Sequence, residues 1–175
     1  ASIVKELIEN SCDAAAHRIQ IVIEGSGVER IRISDDGRGM SAEDLALAFE
    51  RHATSKLRHF DDLAKITTYG FRGEALPSIA AAADVDCLSR ASLSGTGSES
   101  GARVRFEAGR CLGVVPAGGP PGTTIEVRDL FARQPARRKF LAGARAERAA
   151  IARVCGEVAL AHPEIAVSLE IDGRT

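Results

Sequence analysis

Hydrophobic positions change their spacing along the chain, and these changes separate helices from strands. Ile3, Val4, Leu7 and Ile8 recur at helical spacing, which predicts an amphipathic helix at the start. Isoleucine then alternates with polar or smaller residues at 19, 21 and 23, and again at 31 and 33. The sequence Glu24-Gly25-Ser26-Gly27 separates the two runs, so a strand, a turn and a second strand are predicted.

Three more helices are predicted from caps and apolar content. Ser41 is a good N-cap for a short helix that runs to about Glu50, with acidic residues in its first turn. Residues 74–83 are alanine-rich and are predicted to be helical despite Pro77, which falls near the first turn, where proline is tolerated. A long helix over residues 145–161 ends at His162-Pro163.

From Val85 onward the period changes to that of strands. We expect strands over residues 85–90, 102–108, 111–115, 123–128 and 165–171, and a flexible surface loop over 92–101. Helices thus lie early and late, around four or five strands linked by short loops. This order predicts an α+β sandwich with helices on one face of a largely antiparallel sheet.

Composition restricts the possible classes of protein. With 175 residues and 45% hydrophobic content, the chain can build one compact core, and both of its ends look cut from a longer protein. No apolar run approaches the ~18 residues of a membrane span. The net charge of −1 argues against electrostatic binding of nucleic acid by the domain as a whole. The four scattered cysteines are interpreted as reduced buried thiols.

Four short motifs carry candidate chemistry. The first, Glu6-x-x-x-Asn10, places a carboxylate and an amide one helical turn apart, which we expect to be partly buried at the edge of the apolar stripe. Burial would raise the pKa of Glu6 toward that of a useful general base, and the amide oxygen suits Mg²⁺. A surface helix gives the same spacing by chance.

Two glycine-rich segments allow backbone to approach a ligand. Asp35-Asp36-Gly37-Arg38-Gly39 follows a strand, and its first carboxylate could accept a hydrogen bond from an exocyclic amine. Gly70-Phe71-Arg72-Gly73-Glu74 precedes a helix, whose free amide groups attract phosphate. Thr54-Ser55-Lys56 adds hydroxyls and a cation. The alternatives are a solvated turn and an ordinary helix entry.

The remaining two features are a hydroxyl pair and a basic run. Gly122-Thr123-Thr124 opens a strand, and Arg137-Arg138-Lys139 is the clearest basic concentration. The basic run could touch nucleic-acid phosphates, although we favour a solvated helix face neutralised by Glu126, Asp129 and Glu147.

Taken in order, the motifs resemble a known family. Residues 5–14 (KELIENSCDA), 51–56 (RHATSK), 70–76 (GFRGEAL) and 135–141 (PARRKFL) look like the N-terminal ATPase region of the MutL family of DNA mismatch repair proteins. The likeness spans essentially the whole chain. It implies a Bergerat-type fold, a two-layer sandwich with a mostly antiparallel mixed sheet, and a single ATP-binding domain over residues 1–175, truncated at both ends.

The resemblance implies a role for each matching residue. Glu6 would activate the attacking water, Asn10 would ligate Mg²⁺, and Asp35 would bind the adenine amino group. Gly39, Met40 and Ala14 would line the adenine pocket, and Thr123 would assist. The phosphate-binding lid would comprise Thr54, Ser55, Lys56, Gly70, Phe71, Arg72, Gly73, Glu74, Ala75 and Leu76.

Two positions depart from the family pattern. Asp36 stands where family members usually carry Asn, and Ala15 stands where they usually carry Gly. We expect Asp36 to add negative charge near the ligand and Ala15 to cost backbone freedom. Because the upstream arm and the following domain are missing, we also expect this fragment to bind ATP weakly and hydrolyse it poorly.

The resemblance further implies an ATP-driven switch. ATP and Mg²⁺ would close the lid and drive homo- or heterodimerisation, coupling the mismatch-recognition protein MutS to a downstream nuclease or helicase. DNA would contact Arg137 and Arg138, in the bacterial cytoplasm or a nucleus. The alternatives are a nucleotide-sensing DNA clamp with negligible hydrolysis and a histidine-kinase-type catalytic domain.

Overall fold

The computed structural model describes residues 1–50, 75–92 and 100–175, and the fold is given for these ranges. Five helices are present: α1 (Ser2–Asp13), α2 (Ala42–Ala48), α3 (Ala75–Ala82), α4 (Pro135–Lys139) and α5 (Ala144–Ala161). The strands are β1 (Arg18–Glu24), β2 (Arg30–Asp35), β3 (Asp84–Arg90), β4 (Gly101–Glu107), β5 (Arg110–Ala117), β6 (Gly122–Arg128) and β7 (Ala166–Ile171).

All seven described strands form one mixed sheet in the order β5-β4-β3-β6-β2-β1-β7. Five neighbouring pairs are antiparallel, and only β7 runs parallel to its neighbour β1. A parallel pair needs a long crossover connection, and α5 lies directly before β7 in the chain and packs on it.

One face of the sheet carries the core. Alternate residues along the strands are buried, among them Ile19, Ile21 and Ile23 in β1 and Val85 and Cys87 in β3. The helices α1, α2, α3 and α5 all contact strands or one another, and Val4, Leu45, Ile79 and Ile151 contribute their side chains to the same buried cluster. The predicted fold class, an α+β sandwich with helices on one face of a largely antiparallel sheet, is confirmed.

The expected number of strands was wrong. The described sheet contains seven strands, where four or five were expected, although each of the seven lies on a segment that was predicted as a strand. Element boundaries differ by a few residues from those expected. The largest shifts are at β5, which runs to Ala117, and at α2, which ends at Ala48.

Helix α1 ends in a turn that favours glycine but contains alanine. The backbone N–H of Ala15 donates to the carbonyl of Cys12 (2.9 Å), and that of Ala16 donates to the carbonyl of Ser11 (3.2 Å). These two bonds define a Schellman cap, whose central residue adopts the left-handed conformation. Ala15 accordingly has φ = 57°, which is unfavourable for a residue with a Cβ atom. The family departure at this position therefore has a local conformational cost.

We predict that Ala15→Gly stabilises the fold by about 0.5 to 1 kcal/mol, because relief of left-handed strain outweighs the greater entropy of the unfolded glycine. Urea unfolding followed by circular dichroism measures the change. Ala14→Gly is the matched control: Ala14 has φ = −80°, so glycine there brings no relief and should destabilise. Equal shifts of the two variants, or destabilisation by Ala15→Gly, would contradict this account.

Candidate functional site

The apolar face of the sheet ends in a row of polar residues. Ile33, Ile125 and Cys87 lie side by side on β2, β6 and β3 and are buried. Two residues further toward the same end, the corresponding positions are Asp35, Thr123 and Ser89, which are again in register. Since alternate strand residues share a face, these polar side chains border the core. A few polar groups at the edge of an apolar surface are the usual lining of a ligand site.

Asp35 is the charged member of this row and is held on both oxygens. Its Oδ1 accepts hydrogen bonds from the backbone N–H of Gly37 (3.0 Å) and of Thr123 (3.3 Å). Its Oδ2 accepts one from the hydroxyl of Ser11 (2.9 Å). Burial raises the pKa of Asp35, and these hydrogen bonds oppose that rise. The result is a fixed, desolvated acceptor beside the core.

The loop after Asp35 crosses the start of β6 and reaches β3. The N–H of Met40 donates to the Ser89 hydroxyl (2.9 Å), and the N–H of Ser92 donates to the carbonyl of Arg38 (2.8 Å). Gly39 has φ = 63°, and a Cβ there would lie 1.9 Å from the Arg90 carbonyl oxygen. The glycine is therefore required by the crossing itself, which brings Gly39 and Met40 to the same end of the sheet as Asp35.

The site also touches the end of α1. The N–H of Arg38 donates to the carbonyl of Ala14 (2.9 Å), and a Cβ on Gly37 would lie 2.8 Å from that of Ala14. Close approach of the loop thus explains the second glycine of the motif. The structure brings Ala14, Asp35, Gly39, Met40 and Thr123 together, as the interpretation of the sequence requires.

Two site residues were missed by the sequence analysis. Ser11 and Ser89 are the buried polar side chains in the described part of the chain, with exposed fractions of 3% and 0%. The first hydrogen-bonds Asp35, and the second bonds to Met40 and Thr123. The available signal was their placement, since each occupies a position that the apolar period assigns to the core.

The helical pair Glu6 and Asn10 is only partly as expected. Asn10 is half-buried at the margin of the stripe, but Glu6 is exposed, so the expected burial of Glu6 was wrong. The buried residues of α1 are Val4, Leu7, Ile8 and Ser11. At about 100° per residue, Glu6 lies roughly 150° from the middle of that stripe. The pair still shares one side of α1, one turn apart.

Asp36 points away from the site. Its Oδ1 accepts hydrogen bonds from the backbone N–H groups of His17 and Arg18, both at 2.8 Å. Slight burial opposes ionisation of Asp36, but the bonds from Arg18 and His17 prevail and lower its pKa. The expected charge beside the ligand is therefore directed to the α1–β1 turn. Because one oxygen makes both bonds, the amide oxygen of the Asn usual in the family could make them as well.

Several predicted ligand residues lie outside the described ranges. These are Thr54, Ser55, Lys56, Gly70, Phe71, Arg72, Gly73 and Glu74. Ala75 and Leu76 open α3, where both are half-buried, and Leu76 packs against the core. Helix α3 contacts α1, the helix that carries Glu6 and Asn10.

The basic helix α4 lies at the opposite end of the sheet. Arg133, just before it, forms an ion pair with Asp84 (2.8 Å), and Asp84 is in register with Arg128 at the far end of β6. The two ends are five residues apart along these strands, which puts about 17 Å between that end and the row of Asp35. Arg137 and Arg138 are exposed, and the Arg137 guanidinium lies 6.0 Å from the ring centre of Phe131.

The expected neutralisation of the basic run was wrong in part. Glu126 pairs with Arg30 and Arg128, and Glu147 forms no ion pair with the basic run within the described residues. Within the described residues, no ion pair reaches Arg137, Arg138 or Lys139. The run is therefore a solvated face, but its charge is not cancelled by those two carboxylates.

Comparison with known proteins agrees with this geometry. Residues 1–105 match the model of the histidine kinase-, DNA gyrase B- and HSP90-like ATPases. The chain belongs to this ATPase family. It is 51% identical over 175 residues to the DNA mismatch repair protein MutL of Pelotomaculum thermopropionicum, covering 99% of this chain and 28% of that protein. For MutL of Limosilactobacillus reuteri the identity is 48%, over 99% of the chain and 25% of the relative.

The solved structures that are similar to this chain include domains of the same kind. The Aquifex aeolicus MutL ATPase domain complexed with ADP superposes with a TM-score of 0.73 at 34% identity, covering 99% of this chain and 60% of that one. The N-terminal domain of a DNA repair protein gives 0.76 at 27% identity, over 97% and 47%. The resemblance to the MutL ATPase region is confirmed. The chain spans about a quarter of the length of the curated relatives quoted above.

The described residues hold neither a candidate membrane-spanning helix nor a candidate metal-binding cluster. No helix there is both long and apolar enough to cross a membrane. No group of three or more His, Cys, Asp and Glu side chains there could hold a metal ion.

Proposed function

We propose that this chain is the ATP-binding and ATP-hydrolysing switch domain of a DNA mismatch repair protein. The observation that carries the proposal is Asp35, a desolvated carboxylate fixed by three donors at the polar end of the core. Membership of the ATPase family and the likeness to an ADP-bound MutL domain support it. Asp35 would accept a hydrogen bond from the adenine amino group.

The neighbouring groups suit the rest of a nucleotide. Gly39, Met40 and Ala14 would line the adenine pocket, and Thr123 would add a hydroxyl beside Asp35. The resemblance assigns the phosphates to Thr54, Ser55 and Lys56, and to the stretch from Gly70 to Leu76. As the resemblance implies, closure of that stretch would couple ATP binding to association of two subunits.

Mg²⁺ fits the donor that α1 offers. Mg²⁺ in nucleotide sites is held by one or two protein oxygens together with phosphates and water. The half-buried amide oxygen of Asn10 would supply one such ligand. When bound, the ion would neutralise charge on the phosphates.

Hydrolysis would depend on Glu6. Its carboxylate lies one turn before Asn10 on the same side of α1, and it is open to solvent. Glu6 would accept a proton from the attacking water, while the residues around Asp35 hold the adenine ring in place. Recognition and proton transfer are thus assigned to different groups.

Asp35→Asn tests the binding assignment. The amide nitrogen would replace Oδ2 and present a donor to the adenine amine, so we predict that the affinity for Mg-ATP falls about 100-fold. Isothermal titration calorimetry on the full-length protein measures it.

Asp36→Asn is the matched control, because this adjacent carboxylate bonds only to backbone of the α1–β1 turn in the described structure. Its affinity should stay within about twofold. Retention of wild-type affinity by Asp35→Asn would show that Asp35 does not read the base.

Glu6→Gln separates the switch from the main alternative, a nucleotide-sensing DNA clamp without significant hydrolysis. We predict that steady-state turnover of ATP falls by about 100-fold or more while ATP affinity is retained, since a general base is lost and the pocket is not. Phosphate release in the full-length protein is the measurement. Turnover that survives the change, with and without DNA, would refute the general-base role.

DNA contact by α4 is a second proposal, favoured by the exposure of Arg137 and Arg138 and by the absence of ion pairs to them within the described residues. We predict that Arg137→Glu with Arg138→Glu weakens DNA binding and reduces the slope of log affinity against log salt by about two. Fluorescence anisotropy over a salt series measures both. Arg133→Glu tests whether loss of any basic charge here suffices, because Arg133 is engaged by Asp84. An unchanged slope in the double variant would exclude this contact.

Of the partners that the resemblance implies, MutS and a downstream nuclease or helicase would be contacted by the longer protein. The ATP-dependent change of this domain would report mismatch recognition to them. The bacterial cytoplasm, or a nucleus, is the setting that this role implies.

A further inference from the structure

Ser89 makes three hydrogen bonds at the site, and none of the roles proposed above involves this residue. Its side chain is fully buried, and its hydroxyl lies at the junction of three elements. The oxygen is 2.9 Å from the N–H of Met40, 3.1 Å from the carbonyl of Gly122 and 2.8 Å from the Thr123 hydroxyl. It therefore joins the loop after β2, the first residue of β6 and the hydroxyl beside Asp35.

The hydroxyl protons of Ser89 and Thr123 can take two arrangements at this junction. The Met40 N–H can only donate, so Ser89 accepts there and has one proton left. In the first arrangement, that proton goes to the Gly122 carbonyl, and Thr123 donates to Ser89. In the second, Ser89 donates to Thr123 Oγ1, and the Thr123 proton becomes free for another acceptor. The Ser89–Thr123 pair can thus present either a lone pair or a proton to the site.

We propose that Ser89 is a positioning residue that directs the Thr123 hydroxyl toward a ring nitrogen of the bound base. The inference rests on the proposed ATP site. The backbone N–H of Thr123 donates to Oδ1 of Asp35, so the Thr123 hydroxyl lies beside the carboxylate that would accept a hydrogen bond from the 6-amino group. On adenine, the acceptor next to that amino group is ring nitrogen N1. It would select the second arrangement, with Ser89 donating to Thr123 and Thr123 donating to N1, directly or through one water.

The proposal also accounts for the burial of a hydroxyl in this position. Without Ser89, the Met40 N–H would lose its side-chain acceptor and the Thr123 hydroxyl would lose the bond that fixes its direction. A purely structural hydroxyl would affect the binding of all nucleotides alike. A positioning hydroxyl would change the discrimination between bases that differ at N1.

The test compares ATP with 1-deazaadenosine triphosphate, in which C–H replaces N1 and the 6-amino group is kept. We expect the full-length wild type to bind ATP about tenfold more tightly than the deaza analogue. Ser89→Ala should weaken ATP binding by about that factor and leave the analogue nearly unaffected, so the preference disappears. Ser89→Thr, which keeps the hydroxyl, should restore it. Calorimetry and thermal unfolding are run on each variant.

Ser34→Ala is the matched control. Ser34 and Thr124 form a hydroxyl pair at 3.0 Å across the same two strands, β2 and β6, one residue from Asp35 and Thr123 and on the other face. Its loss should leave the preference for ATP unchanged. Should Ser89→Ala fail to fold, Ser89→Cys keeps the volume with a much weaker hydrogen bond and should show the same loss of preference.

The outcomes separate the two claims. A wild type that does not bind ATP overturns the proposed function, and this inference with it. A wild type that binds ATP through Asp35 but shows no preference over the analogue overturns the inference alone. Equal weakening of both nucleotides in Ser89→Ala assigns the hydroxyl a structural role and also overturns it.

Discussion

The architecture of the site depends on a carboxylate that lies at the edge of an apolar core. Burial disfavours the charged form of Asp35, so the fold surrounds it with donors from three different elements: the turn after β2, the start of β6 and the buried face of α1. Each donor fixes the position of its own element. The turn at Gly37 and the buried serine of α1 supply two of these donors.

Much of the fold followed from periodicity, because the apolar positions of α1, β1 and β2 repeat cleanly. The candidate site followed from motif chemistry, and the residues that converge on Asp35 do so through contacts that no spacing specifies. Ser89 is a site residue that the local sequence did not predict. It stands in a run of alternating core positions after Val85 and Cys87, and only the register against Thr123 shows that its hydroxyl joins the site. Strand order, which decides that register, depends on long-range pairing and is not encoded locally.

The departures from the family pattern show a second limit. A glycine replaced by alanine is visible in the sequence, but its cost depends on the left-handed angle that the Schellman cap imposes on Ala15. Conversely, Asp36 looked significant because it adds charge to a ligand motif. Its side chain instead bonds to backbone of a neighbouring turn, a placement set by the tertiary path of the loop. The effect of each departure thus depends on the backbone conformation at its position.

Glu6 and Asp35 illustrate how a fold distributes binding and chemistry. Asp35 is held by three hydrogen bonds within the fold, and these partly offset the effect of burial on its pKa. Glu6 stands on the exposed side of α1, where the apolar stripe exerts no constraint on it. In the proposed function, the nucleotide would be held by residues that the fold already fixes. Proton transfer would fall to Glu6, which is exposed in the described structure. Such a division would suit a switch driven by binding, because occupancy would persist until hydrolysis ends it.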